Sequence, residues 1–198
     1  MTNTNPPPAS TSRRDEILER AAQVIADRGI KNATVRDIGE AAGILSGSLY
    51  YHFESKEQIV LELLKPSTDA NYESALAICA EHRGIEAVSL MIRNAVLSTA
   101  ANPVRSIILR NEERAFTELA ILAPIAEYRR NLFQLWKRVV KDAIALGELR
   151  ANCDPDIVVL AMVDTTLGAS RWFNARRPRN PDTVADELIA LHLDGLRP

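Results

Sequence analysis

The chain has 198 residues, of which 46% are hydrophobic and 25% are charged, and its formal net charge is −2 at pH 7. This length suits one large domain, or a small domain joined to a larger one. A nearly neutral charge argues against a protein that binds polyanions over its whole surface, so any nucleic-acid contact must depend on the local placement of charge.

The sequence predicts neither membrane insertion nor export. No apolar run approaches the roughly 20 residues that a membrane-spanning helix needs, and the N-terminus lacks the basic-then-apolar layout of a signal peptide. We therefore expect a cytoplasmic protein with no membrane partner. Cys79 and Cys153 are far apart and have no CxxC spacing, which indicates reduced, buried or half-buried thiols. His82 and His192 have no second histidine at i+4, so we expect no metal and no cofactor.

The N-terminal part of the chain contains a polar tail followed by two strong helix signals. Residues 1–12 are polar and rich in proline and predict a disordered tail. Ser12 with Asp15, and Thr34 with Asp37, form capping boxes, which predict helices from Arg13 and over Val35–Ala42.

Two short helices and a glycine turn follow from the next residues. Gly43 ends the helix in which Ala41 and Ala42 supply a small packing surface, and a second short helix is predicted over Ser46–His52. Ser55 opens a longer helix, which Pro66 is expected to kink or break. Two short helices joined in this way describe a helix-turn-helix.

The rest of the chain keeps a helical hydrophobic period. Helices are predicted near 85–101, 103–117, 125–146, 155–174 and 182–196, with prolines close to several starts. No alternating pattern or hairpin turn indicates a strand. The prediction is an all-α protein of about nine helices, with three of them in an N-terminal headpiece over 13–60 and a larger domain over 61–198.

The second short helix of the motif has an inner and an outer side. Leu49 and Phe53, four residues apart, face the core, so small polar and aromatic residues are left outside. Such a helix fits the major groove of duplex DNA, where hydroxyl groups and an imidazole can donate to phosphates and base edges. The predicted DNA contacts are Thr34, Arg36, Ser46, Gly47, Ser48, Tyr50, Tyr51, His52 and Lys56.

An enzyme is not indicated. Ser48, His52 and Glu54 are close in sequence, but three residues on one short stretch do not converge on a common point. No nucleophile elbow and no phosphate-binding glycine loop accompanies them.

Residues 34–60, TVRDIGEAAGILSGSLYYHFESKEQIV, resemble the DNA-binding domain of TetR-family regulators. The positions in register are Thr34, Arg36, Gly43, Gly47, Leu49, Tyr50, Phe53, Lys56 and Glu57. The resemblance implies that the headpiece binds DNA and that residues 61–198 bind a small effector and form a homodimer through the last two long helices.

The resemblance has departures and a more specific part. Leu45 stands where the family usually has Ser, and Gly39 where it usually has Ala. GILSGSLY, with Asp164-Thr165-Thr166 and Ser170-Arg171-Trp172, is similar to an actinobacterial subgroup that controls sterol-ring or acyl-CoA catabolism. That subgroup tends to have Arg and Trp where Val163 and Leu167 stand here.

Two further sites follow from the apolar stripes of the long helices. Apolar and aromatic side chains around a few polar groups are typical of a ligand pocket, although ordinary core is the alternative for each residue. The expected pocket residues are Leu109, Glu112, Phe116, Tyr128, Leu132, Trp136, Val163 and Leu167. Small and apolar residues predict a dimer interface of Ala161, Thr165, Gly168, Ala169, Trp172, Leu188 and Leu191.

The combined prediction is a ligand-responsive transcriptional regulator. A two-fold dimer would place two recognition helices about 34 Å apart, which suits a palindromic operator in double-stranded DNA. A small, largely apolar effector would release a repressor of this kind. The alternative is a helical protein-interaction module without DNA binding. The arginines at 171, 176, 177 and 179 indicate either a solvated loop or an anion-binding cluster.

Overall fold

The computed structural model describes residues 12–173, 176 and 179–197, and helices account for nearly all of their regular structure. The predicted tail lies outside the described residues except for Ser12. The helices are α1 Arg13–Arg28, α2 Val35–Ala42, α3 Ser46–Leu49, α4 Lys56–Glu81, α5 Gly84–Ala101, α6 Pro103–Asn111, α7 Glu113–Glu118, α8 Ala123–Ala145, α9 Pro155–Gly168, α10 Ser170–Phe173 and α11 Pro181–Asp194. A short 3-10 helix covers Ala120–Leu122. No strand occurs in this part of the chain, so the all-α prediction is confirmed.

The predicted helix starts in the headpiece are confirmed by their caps. The Ser12 and Thr34 hydroxyls each accept a hydrogen bond from the backbone N–H of the aspartate three residues later, and that aspartate accepts from the cap backbone. The Ser55 hydroxyl caps α4 by accepting from the N–H of Gln58 at 3.0 Å. These local bonds satisfy helix amides that have no partner within the helix.

Three of the predicted helices differ in their extent. The one near 103–117 is divided at Glu112, and the one near 155–174 is divided at Ala169. The helix expected over Ser46–His52 ends at Leu49, and a turn continues the chain. The hydrophobic period continues across these helix breaks, so the sequence pattern did not reveal them.

Pro66 does not break α4, so of the predicted kink or break the break is wrong. The helix runs unbroken from Lys56 to Glu81 with the proline inside it. Next to the proline, the Ser67 hydroxyl donates to the carbonyl of Leu64 and the Thr68 hydroxyl to that of Lys65, each at 2.9 Å. Side-chain hydroxyls therefore bond to carbonyls in the turn where a proline removes a backbone donor.

Two hydrophobic cores organise the molecule. The first joins α5, α8, α9 and α11 with part of α4, around the fully buried Trp136. The second packs α1–α4 against α6, α7 and the start of α8, with Ile17 and Ile25 on one side and Ile108 and Phe116 on the other. The headpiece thus shares its core with the larger part of the chain.

The proposed domain boundary at residue 60 therefore falls inside a continuous helix and a continuous core. α4 carries Ile59 and Val60 and then Leu63 and Leu64 into the same cluster. The division into 13–60 and 61–198 stays a prediction about function, because one core and one helix cross the boundary.

Two other sequence features have plain structural outcomes. Cys79 and Cys153 are free and half-buried, as expected. Within the described residues, no helix combines the length and the apolar character needed to cross a bilayer.

Candidate functional site

The turn between α2 and α3 depends on two glycines. Gly43 has φ +67°, in the left-handed region that glycine adopts without strain. Gly39 is buried, and a Cβ added there would lie 3.0 Å from the carbonyl oxygen of Ile44. The carbonyl of Gly39 also accepts a hydrogen bond from the N–H of Ile44 at 2.9 Å. Gly39 therefore allows the close packing of α2 against the turn that the sequence assigned to Ala41 and Ala42. Ala41 itself is exposed.

Two side chains anchor α3 in the second core. Leu49 and Phe53 are 1% and 2% exposed, as predicted, and Ile44 is half-buried beside them. The guanidinium of Arg14 lies 4.2 Å from the centre of the Phe53 ring. It also donates to the carbonyl of His52 and to the carboxylate of Glu62. Arg14 thus braces the turn after α3, a role that its position in α1 did not suggest.

The opposite side of this segment faces solvent. Tyr50 and Tyr51 are 59% and 91% exposed, and Gly47 is exposed with no atom within 4 Å of an added Cβ. Ser46, Ser48 and His52 are half-buried at its edges. The tyrosines are therefore outside the core, where they can meet another molecule.

The predicted contacts on α2 are also accessible. The Thr34 hydroxyl serves the helix cap, while the residue itself is exposed. The Arg36 side chain is 81% exposed, and among the described residues it is paired only with Glu40 on the same helix, Nε to Oε1 at 2.9 Å. Such an exposed pair is worth little and exchanges readily for another anion.

Lys56 differs from its predicted role. Its ammonium group donates to the carbonyls of Ala33 at 2.8 Å and Lys31 at 3.4 Å, and the side chain is only 16% exposed. These carbonyls belong to the loop before α2. The side chain thus ties α4 to that loop instead of projecting as a phosphate contact, and we treat it as a positioning residue for the headpiece.

A cavity of about 600 Å³ lies between α4, α5, α6, α7, α8 and α9. Seven of the eight expected pocket residues line it: Leu109, Phe116, Tyr128, Leu132, Trp136, Val163 and Leu167. The volume falls within the usual range for small-molecule sites, and the apolar lining is typical of them.

The cavity wall also carries a defined polar group. The Tyr128 hydroxyl accepts a hydrogen bond from the Asn71 amide at 2.7 Å, and Asn94 donates to the Asn71 oxygen at 2.8 Å. Burial raises the pKa of Tyr128, so its hydroxyl keeps a proton to donate. Arg110, Arg129 and Arg130 add cations to the lining.

Glu112, the eighth expected pocket residue, lies outside the cavity lining. Its carboxylate accepts from the N–H of Ile30 at 3.1 Å, in the loop between α1 and α2. A Cβ added to Gly29, which has φ +80°, would lie 2.8 Å from the same carboxylate. Glu112 therefore connects the junction of α6 and α7 to the headpiece.

The predicted dimer residues are split between core and surface. Ala169 and Leu188 are 0% and 5% exposed and belong to the first core, so their assignment to an interface was wrong. Thr165 and Gly168 are half-buried, and the Thr165 hydroxyl is 2.7 Å from Nε2 of His192. Ala161, Trp172 and Leu191 are exposed.

Further apolar side chains extend that exposed surface. Ile157 and Leu160 on α9 are 66% and 52% exposed, and Leu191 on α11 is 69% exposed. Ile157 and Leu160 were not among the predicted interface residues. Large exposed aliphatic side chains on two neighbouring helices are a stronger sign of an interaction surface.

The remaining candidates are the arginine cluster and the isolated histidines. Arg171, Arg176 and Arg179 are exposed, and Arg177 lies outside the described residues. His82 pairs with Glu86 at 3.0 Å. No group of three metal-ligating side chains comes together in the described ranges.

Two family models match the chain. "Bacterial regulatory proteins, tetR family" matches residues 17–63, and "Tetracyclin repressor-like, C-terminal domain" matches residues 81–196. The HTH-type transcriptional repressor KstR2 of Mycolicibacterium smegmatis is 32% identical over 193 residues, which is 96% of this chain and 93% of that protein. KstR2 of Rhodococcus jostii is 32% identical over 96% of this chain and 97% of its own.

Solved structures agree with this similarity. The ketosteroid transcriptional regulator KstR2 of Mycobacterium tuberculosis superposes with a TM-score of 0.85 at 31% identity, covering 94% of this chain and 96% of that one. AibR in complex with isovaleryl coenzyme A and operator DNA has a TM-score of 0.74 at 21% identity, covering 92% and 98%, and shares the fold.

Replacing Lys56 by Met tests its positioning role. The variant leaves two loop carbonyls without their donor, so we expect the free energy of unfolding to fall by about 2 kcal/mol. Chemical denaturation followed by circular dichroism measures the change. Arg36→Gln is the control, because that exposed side chain bonds only to its own helix, and its effect should stay within about 0.5 kcal/mol. Equal stability of the two variants would contradict the assignment.

Proposed function

This chain belongs to the TetR family of bacterial regulatory proteins, and from that premise we propose that it is a repressor that leaves a palindromic operator when a small, largely apolar effector fills the cavity. Membership makes it a ligand-responsive, DNA-binding transcriptional regulator and not an enzyme, and it removes the alternative of an interaction module without DNA binding. The proposal concerns which residues perform each step.

The exposure of Tyr50 and Tyr51 beside the buried Leu49 and Phe53 carries the proposal for DNA contact. A segment anchored on one side and free on the other can enter the major groove, which is about 12 Å wide. The tyrosine hydroxyls and Ser46 and Ser48 would donate to phosphates and base edges.

The edges of the same surface would fix its register on the duplex. Gly47 would allow a close approach of the backbone to DNA, because an added Cβ meets nothing there. Arg36 and Thr34 would hold the phosphate backbone from the start of α2, with His52 at the other end of the surface. These contacts position the headpiece, and base contacts supply specificity.

We further propose a two-fold dimer built on the exposed apolar side chains of α9, α10 and α11. Ile157, Leu160, Ala161, Trp172 and Leu191 provide apolar side chains that one chain alone leaves in water. Pairing of two copies would bring two α3 segments onto one side of the DNA, about one helical turn apart. It would also double the phosphate contacts of a nearly neutral protein.

The chemistry of the cavity supports an apolar effector with a polar or anionic end. Leu109, Phe116, Leu132 and Trp136 offer apolar contact, while the Tyr128 hydroxyl, Arg110 and Arg130 offer polar contact. Steroid-like or acyl groups have this combination of properties. KstR2 of Mycobacterium tuberculosis is a ketosteroid transcriptional regulator, and AibR forms a complex with isovaleryl coenzyme A.

Glu112 supplies a route from the cavity to the DNA-binding surface. Leu109 and Glu113 line the cavity on either side of it, while its carboxylate holds the Ile30 N–H. Lys31 pairs with Glu118 at 2.7 Å, which adds a second link between α7 and the same loop. An effector that displaces the α6–α7 junction would therefore shift the population of headpiece orientations.

Tyr51→Ala tests the DNA-contact surface. A duplex is first selected from a random library with the purified full-length protein, and its affinity is then measured by fluorescence anisotropy. We expect a loss of roughly tenfold, as for one or two hydrogen bonds removed from the complex. The melting temperature and the dimer mass should not change, because the side chain is 91% exposed. Unchanged affinity, or loss of the dimer, would contradict the surface assignment.

Ile157→Glu tests the dimer surface. A carboxylate placed in an apolar interface should weaken dimerisation roughly 30-fold, the loss expected at an interface hot spot. Sedimentation equilibrium measures the association constant. Leu146→Glu is the matched control, since Leu146 is similarly exposed at the end of α8. If both variants remain equally dimeric, the interface lies elsewhere.

A further inference from the structure

Leu45 is an exposed aliphatic side chain in the middle of the proposed DNA-binding surface. It is 80% exposed, while its neighbour Ile44 is half-buried in the second core. Contact with another molecule would remove this apolar surface from water, which is favourable.

Leu45 contributes little to the local structure in which it stands. It is the N-cap residue of α3, and it makes no side-chain capping bond. Serine, threonine, aspartate or asparagine would accept a bond from the first amides of the helix, whereas leucine cannot. The side chain therefore serves neither the cap nor the core.

The backbone at this position is nevertheless firmly held. On the side of α2, the buried Gly39 contacts the turn and accepts the Ile44 N–H at 2.9 Å. On the side of α3, the carbonyl of Leu45 accepts from the N–H of Ser48 at 2.9 Å. A side chain on a braced backbone loses little conformational entropy when it binds, and such pre-organisation favours specific contact.

Its place at the start of α3 brings this side chain to the base edges. In helix-turn-helix proteins, the N-terminal residues of the second helix contact the bases in the major groove. A leucine cannot bond to a phosphate or to a polar base edge. The apolar feature that the major groove presents is the C5-methyl group of thymine.

We propose that Leu45 reads a thymine methyl group in each half of the operator and is a specificity-determining residue. The inference rests on the proposed function, because it assumes that α3 enters the major groove. It adds to the polar contacts of that surface a residue whose only means of discrimination is apolar. A thymine at one fixed position would be favoured over cytosine, which has no methyl group there.

The test removes the methyl group without changing the base pairing. In the duplex selected with the full-length protein, each thymine is replaced in turn by deoxyuridine, in both half-sites together. At one symmetric position we expect the wild-type affinity to fall about fourfold for each half-site, as for one methyl group returned to water. Leu45→Ala should bind the thymine duplex more weakly and should not distinguish thymine from uracil at that position.

The controls separate this contact from other causes. Leu76→Ala removes an exposed leucine on α4, and this variant should show the same sensitivity to uracil as the wild type. Leu45→Ser restores a capping hydroxyl, so it should keep or raise the melting temperature while losing the discrimination. A merely structural role for Leu45 would instead lower the melting temperature in this variant.

The possible failures are distinguishable. If no duplex is selected, the proposed function fails. If a duplex is bound but no thymine methyl matters, or if Leu45→Ala keeps the wild-type sensitivity to uracil, DNA binding stands and the assignment of Leu45 is overturned.

Discussion

The structure depends on the apolar core that the headpiece shares with α6, α7 and the start of α8. Ile17 and Ile25 of α1 pack in one cluster with Ile108, Phe116 and Leu122, and each of these five side chains is at most 1% exposed. Close-packed interiors transmit displacements because they contain few voids. The orientation of α3 is therefore tied to the helices that line the cavity, and the polar links at Glu112 and Lys31 reinforce the same joint.

This constraint explains how a very short helix can serve as a recognition element. α3 has four residues, too few to be stable by itself. Leu49 and Phe53 anchor this segment in the second core, and Arg14 holds the turn that follows it. The side chains on the outer side of the segment do not hold it in place, so their polar groups are available for binding. The two apolar side chains that anchor this surface, Leu49 and Phe53, are buried.

The sequence was informative where structure is determined locally. Capping boxes at Ser12 and Thr34 predicted two helices to the residue, and the pair Leu49 and Phe53 predicted which side of α3 faces the core. The sequence predictions failed where a residue distant in the chain determines what a side chain contacts. The carbonyls that bind Lys56 and the amide that binds Glu112 belong to a loop that no pattern connects to them. Small residues such as Ala169 fit a core and an interface equally well, so burial had to distinguish them.

Hydrogen–deuterium exchange of the intact protein tests the shared core most directly. Elements that open together exchange with the same free energy. If the core is shared, the slowest amides of α1, around Ile17 to Ile25, and those of α6, around Ile108, will report one common opening free energy. Much faster exchange throughout α1 to α3, with α6 still protected, would show a headpiece that opens on its own and would contradict the account.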